Sequence, residues 1–327
     1  MVPDVTPREF GLVIAVNRNT LEVMRSDGRI ECCRLHGRFR SAAHRGEGVV
    51  AGDRVLLGPV PSVPAPGALA PLRTVVAVEP RSSVLRRHLT SRVEDRGRED
   101  LTVAANVDLG LVVQAYRDPP FRPAVADRLV ALVRACAIPC VLVLNKSEGV
   151  SGDALEAILA PYRGLSVEGF AVSALAGTGA GLEPLAARCA GHLVVMLGPS
   201  GVGKSSLVRG LCPSATPATG DVSHARLRRG RGRHTTVQSR IYPLPDGGYL
   251  MDTAGIRSLA LPDGTEPLDA FPEIASWAPG CRFADCTHLH EPGCAVRAAL
   301  AAGSLPRAAY DGYRRVLRDQ AARPSRR

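Results

Sequence analysis

Gly198-Pro199-Ser200-Gly201-Val202-Gly203-Lys204-Ser205 decides how the rest of the chain is read. The apolar run His192–Leu197 precedes it and a helical pattern starts at Lys204, so these residues sit on a turn from strand into helix. Glycines at the first, fourth and sixth places let the backbone curl so that its N–H groups point inward at an anion. The helix N-terminus adds partial positive charge. The spacing fits G-x-x-x-x-G-K-S/T, a phosphate cradle. Lys204 is placed to reach the β- and γ-phosphates and Ser205 to hold Mg²⁺, with Ser206 next in the first turn.

Downstream, Met251-Asp252-Thr253-Ala254-Gly255 ends an apolar strand, 54 residues after Gly198. Asp252 suits the Mg²⁺ shell, and the Gly255 N–H can reach a γ-phosphate. Between the two lies Gly232-Arg233-His234-Thr235-Thr236, where the hydroxyl of Thr235 or Thr236 is expected to complete that shell and sense the γ-phosphate. Many GTPases orient the attacking water with a Gln after D-x-x-G; here that position is Ile256, which has no polar group. His234 is therefore the expected water-orienting residue, and slow intrinsic turnover is expected.

Upstream, Asn145-Lys146-Ser147-Glu148 ends the strand Cys140–Leu144. It resembles the guanine-reading N-K-x-D, with Glu in the last place. A carboxylate there accepts from the guanine N1 and N2 donors, which adenine lacks. Ser173-Ala174-Leu175 ends the next strand, as a backbone reader of guanine O6 would. Both base motifs thus precede the phosphate loop, the reverse of the ordinary order, so the GTPase domain is read as circularly permuted. Strand ends of a parallel sheet converge on one crevice whatever the chain order. The chain holds 39 Arg and two Lys, Lys146 and Lys204, and both fall in these motifs. A planar guanidinium cannot replace a compact ammonium in a tight phosphate loop.

From about residue 100, strands alternate with helices over Leu109–Gln114, Ala124–Cys136, Cys140–Leu144, Asp153–Tyr162, Phe170–Ser173, Leu182–Cys189 and His192–Leu197. Strands Ser239–Pro243 and Tyr249–Met251 follow, giving an α/β domain with a largely parallel sheet. Before it, five short runs, Gly11–Val16, Thr20–Arg25, Ile30–Leu35, Arg54–Gly58 and Arg73–Val78, predict an OB-fold β-barrel. Pro59 to Pro71 reads as a flexible loop before its last strand. Expected boundaries are 1–80 for the barrel, 81–265 for the GTPase domain and 266–327 for a zinc-binding domain closed by a basic helix, Pro306–Ala322.

Cys281-x4-Cys286-x-His288-x5-Cys294 offers three thiolates and an imidazole, a set that suits one structural Zn²⁺, with His290 as a rival to His288. Cys32, Cys33, Cys136, Cys140, Cys189 and Cys212 read as small core residues. No apolar run approaches the roughly 20 residues of a membrane span, and Met1–Phe10 lacks a signal-peptide pattern. A cytosolic protein is expected, acting as a monomer. Net charge is +10, which favours a polyanionic partner. Arg226, Arg228, Arg229, Arg231 and Arg233 crowd the first switch; Arg314, Arg315, Arg318, Arg323, Arg326 and Arg327 crowd the tail.

Together these motifs resemble the ribosome small subunit-dependent GTPase A family over nearly the whole chain. Cys33-Arg34-Leu35-His36-Gly37-Arg38-Phe39-Arg40 is similar to the family's C-x-x-R-G-K-F-R, and Ala104-Ala105-Asn106-Val107-Asp108 opens the permuted domain as in the family. Departures are Glu148, Ala254 in place of the usual Pro, and the Pro/Ala-rich loop after Pro59. The resemblance implies binding to the small ribosomal subunit and its rRNA, and GTP hydrolysis to GDP, stimulated by the subunit, in late subunit maturation. Competing readings are a nucleotide-gated RNA-binding module with incidental hydrolysis, and an ATPase left open by Glu148.

Overall fold

The computed structural model describes residues 9–17, 20–36, 48–60, 72–88, 100–175, 180–214, 239–253, 261 and 265–322. The strands are β1 (Glu9–Val16), β2 (Thr20–Arg25), β3 (Ile30–Leu35), β4 (Arg54–Leu57), β5 (Arg73–Val78), β6 (Val84–His88), β7 (Asp100–Ala105), β8 (Leu109–Ala115), β9 (Cys140–Asn145), β10 (Glu168–Ala171), β11 (Leu193–Leu197), β12 (Ser239–Pro243) and β13 (Tyr249–Thr253). The helices are α1 (Pro123–Ala135), α2 (Gly152–Arg163), α3 (Leu182–Cys189), α4 (Lys204–Leu211), α5 (Pro272–Ala275), α6 (Ala295–Ala301) and α7 (Arg307–Ala321).

Strands β1 to β5 pair in the order β1-β2-β3-β5-β4, and β1 also pairs with β4, which closes a five-stranded barrel. Alternation along each strand sends Val13, Leu21, Val23, Cys33, Val55 and Val75 inward to one core. The same alternation puts Cys32 on the outside of β3, so it is exposed rather than a core residue. Most of the loop expected over Pro59–Pro71, and Gly37–Arg40 of the barrel motif, lie outside the described residues.

The second sheet runs β10-β9-β8-β11-β13-β12, parallel except for β12. Strands β8, β9 and β11 are buried along their whole length, which explains their unbroken apolar runs: both faces are covered. On one face Val112, Leu142, Leu144 and Val195 meet α1 and α2; on the other Leu111, Val143 and Met196 meet α3 and α4. The C-terminal segment packs on the outside of α1, through α7 and a 3-10 turn at Pro267–Ala270.

Three features differ from the expectations. A separate antiparallel hairpin, β6–β7, stands between barrel and α/β sheet. The barrel and the α/β sheet are also joined, because β1 pairs with β12 at Ala15 and Arg240. Strand β10 begins and ends two residues earlier than expected, leaving Ser173 in the turn beyond it. Among the described residues, no helix is long and apolar enough to cross a membrane.

Candidate nucleotide site and metal centre

The phosphate loop leaves β11 and enters α4 at Lys204. Two glycines there are forced by close approach. A Cβ at Gly203, where φ is +91°, would lie 2.3 Å from Asn145 Nδ2, and one at Gly198 would lie 2.3 Å from the Val113 carbonyl oxygen. The Lys204 ammonium donates to the carbonyls of Gly198 at 2.8 Å and Pro199 at 2.9 Å, which holds it within the loop. Burial pulls the Lys204 pKa down and pushes the Asp252 carboxyl up, and each is opposed by the charge of the other. Oδ1 of Asp252 is buried without a hydrogen-bond partner among the described residues. A buried oxygen of that kind fits a cation ligand. The Ser205 residue, one place after Lys204, is exposed.

The base motif closes on the same crevice. Asn145, 2% exposed, donates through Nδ2 to the Val202 carbonyl at 2.9 Å and accepts from the Ala174 N–H at 3.2 Å. It is thus a clamp between loops. Lys146 is left-handed, with φ of +60°, and its ammonium donates to the Asp118 carbonyl. The Ser147 N–H donates to the Val172 carbonyl at 3.2 Å. Ser173 is buried, and its hydroxyl donates to Glu148 Oε2 at 2.8 Å. Bonds from its own backbone N–H, Ser173 and Arg117 hold the Glu148 carboxyl below its ordinary pKa.

The loops carrying Asn145–Glu148, Ser173–Ala174 and Gly198–Ser205 therefore meet at the C-terminal ends of β9, β10 and β11, with Asp252 near the end of β13. His234, Thr235, Thr236 and Gly255 lie outside the described residues, as do Ile256 and the arginines 226–233. Sequence reasoning missed Arg117 and Asp118, which follow β8 and touch the base motif. Their signal was Asp118-Pro119-Pro120, a turn at a parallel strand's C-terminal end.

In the C-terminal segment, the ligand atoms of Cys281, Cys286, His288 and Cys294 lie within 4.8 Å of one another. His288 Nδ1 is 3.5 Å from Cys281 Sγ and 3.6 Å from Cys294 Sγ, and the two sulfurs are 3.9 Å apart. These are the edge lengths of a small tetrahedron, so the four residues could hold a metal ion. It is His288, left-handed at φ +62°, that joins the cluster, and not His290. The Glu291 carboxylate accepts from the N–H groups of Thr287, Leu289 and His290, which fixes the ligand loop. Hydroxyls of Tyr310 and Tyr313 on α7 donate to the carbonyls of His288 and Thr287.

Residues 78–262, more than half of the chain, match the RsgA GTPase family. The chain belongs to that family. The small ribosomal subunit biogenesis GTPase RsgA of Moorella thermoacetica is 38% identical over 301 residues, spanning 91% of this chain and 93% of its own. The crystal structure of YjeQ from Thermotoga maritima matches with a TM-score of 0.68 at 25% identity, covering 97% of this chain and 99% of that one. YloQ, described as a circularly permuted GTPase, matches with a TM-score of 0.69 over the full length of both chains; at 22% identity it speaks to fold alone. The chain is thus a GTP hydrolase of the RsgA GTPase family, with a permuted α/β domain, a barrel and a cluster able to hold a metal. Membership also implies use of a Mg²⁺-bound nucleotide, which the orphaned Asp252 oxygen fits.

Proposed function

We propose that this GTPase binds the small ribosomal subunit and its rRNA in the cytoplasm and acts in late subunit maturation, with hydrolysis stimulated by the subunit. The observation that carries the nucleotide half is the meeting of the Glu148, Ala174 and Lys204 loops across the buried Asn145 amide. The subunit half rests on relatives that carry the name small ribosomal subunit biogenesis GTPase, and on the chain's +10 charge.

In this reading, water attacks the γ-phosphorus of GTP in line, the bond to the β-γ bridging oxygen breaks, and GDP and phosphate leave. Residues 198–206 cradle the phosphates, and Lys204 turns from its own loop's carbonyls to the β- and γ-oxygens. Ser205, Thr235 or Thr236, and Asp252 would hold Mg²⁺, which when bound neutralises charge on the phosphate oxygens. The Gly255 N–H contacts the γ-phosphate and His234 orients the water. Asn145, Lys146, Ser147 and Glu148 read the base, with Ser173 and Ala174 behind them. Cys281, Cys286, His288 and Cys294 would hold one Zn²⁺ with no open position, a structural cross-link. The three units are taken as 1–80, 81–265 and 266–327, in a monomer.

The test is GTP and ATP hydrolysis with and without purified small ribosomal subunits. GTP-selective turnover that rises with the subunit is expected. A preference for ATP, or no response to the subunit, would overturn the reading.

A further inference from the structure

Glu148 stands where the guanine-reading motif carries Asp, and its side chain is one methylene longer. A longer chain adds a torsion that must be frozen before the carboxylate can meet a base. Two residues freeze it here. Arg117, in the turn after β8, donates from Nη2 to the Glu148 carbonyl at 2.7 Å and lies 3.4 Å from Oε1. The Ser173 hydroxyl donates to the other oxygen, Oε2, at 2.8 Å. With its own backbone N–H also bonding the carboxylate, the group is held from three sides and keeps acceptor capacity for a donor on a base edge. Guanine presents two donors on one edge, N1–H and N2–H, which adenine lacks. The Glu148 side chain keeps 36% of its surface exposed, so the carboxylate is restrained and still reachable.

The turn that carries Arg117 is itself pinned to the site. Tyr116 N–H donates to the Asn145 carbonyl at 2.8 Å, and the Asp118 carbonyl accepts from Lys146. Pro119 Cδ comes to 3.5 Å of the space a Cβ on Gly201 would fill, so the turn spans from base motif to phosphate loop.

We propose that Arg117 is a positioning residue for base selection: it holds the longer Glu148 carboxylate in the plane where guanine, and not adenine, can donate to it. This rests on the reading that the site takes a guanine nucleotide.

The experiment measures the affinities of GDP, inosine diphosphate and ADP for the full chain and for R117A, R117K, E148D and R117A/E148D. Inosine diphosphate lacks the N2 donor. In R117A, GDP affinity is expected to fall about tenfold, as for one lost charge-assisted contact, with ADP unchanged. R117K keeps a donor for the Glu148 carbonyl and should retain part of the preference. In the E148D background the extra methylene is gone, so removing Arg117 should change GDP affinity less than twofold, a non-additive cycle. Equal losses for GDP and ADP in R117A, or an unchanged GDP-to-ADP ratio, would overturn the inference while leaving the guanine reading intact. A native chain that shows no preference for GDP over ADP would overturn both.

Discussion

The side-chain amide of Asn145 donates to the carbonyl of Val202 across 57 residues of chain, at 2.9 Å. Its oxygen accepts from Ala174, so one buried side chain ties together both base loops and the phosphate loop. Asn145→Asp keeps the shape and replaces the donor with a second acceptor, leaving two oxygens facing each other. A loss of about 2 kcal/mol, or roughly 30-fold in GDP affinity, is expected. Calorimetric titration of GDP checks it, and an unchanged affinity would rule out the clamp.

The metal cluster should set the stability of the C-terminal segment, because Tyr310 and Tyr313 reach from α7 to the carbonyls of the ligand loop. Metal analysis of the purified protein should find about one zinc per chain. Cys294→Ser removes a buried ligand and should release it, lower the melting temperature and open residues 265–322 to protease. Full metal content in that variant would exclude the four-ligand assignment.

A second tie runs from α7 into the α/β domain. Asp127 on α1 is 4% exposed and is held by Arg315 on α7 and by the Tyr162 hydroxyl on α2, the latter at 2.9 Å. Burial raises the Asp127 pKa and Arg315 opposes it. Arg315→Leu leaves a buried carboxylate without its cation and should cost about 3 kcal/mol in urea unfolding at pH 7. Asp127→Asn in the same chain should restore most of it. The cost should shrink as pH falls, since burial raises the Asp127 pKa and protonating it removes the unpaired charge. A cost that does not change with pH would mean Arg315 acts by packing alone.

In the barrel, Glu9 on β1 meets Arg73 on β5 and Arg25 on β2. The Arg73 hydrogen bond, chiefly, holds the Glu9 carboxyl below its ordinary value of 4.5. Its contribution is therefore fully present above about pH 4.5 and is lost as pH falls through the lower folded-state value. Glu9→Gln should destabilise the chain by about 1 kcal/mol at pH 7, as this pair is partly exposed. It should also flatten the acid limb of the stability profile. An acid limb identical to that of the native chain would show that Glu9 titrates normally.

Local order was well marked in the sequence. The helical spacing of Ala309, Tyr313 and Val316 is the buried face of α7, and the unbroken run Cys140–Asn145 is the wholly buried β9. The phosphate loop was legible because close backbone approach leaves glycine as the residue that fits at 198 and 203. What escaped depends on partners distant in sequence. Ser173 was expected inside a strand; it turns away to bond Glu148, 25 residues earlier, which no periodicity records. The grip of Arg117 on Glu148 spans 31 residues, and the Ala15–Arg240 pairing spans most of the chain. The β6–β7 hairpin has no turn signal that fixes its register, and residues 89–99 between its strands lie outside the described set.

The join between β1 and β12 has a further consequence. An antiparallel strand at the end of a sheet displays unpaired amides and carbonyls, a template on which another chain can add. Here β12 meets the barrel's own first strand at Ala15 and Arg240, and β1 turns one of its margins first to β4 and then to β12. The opposite margin of the α/β sheet, β10, is four residues long and begins with Glu168, paired to Arg188. The barrel's first strand therefore occupies part of the β12 margin, a cover that a detached α/β domain would lack.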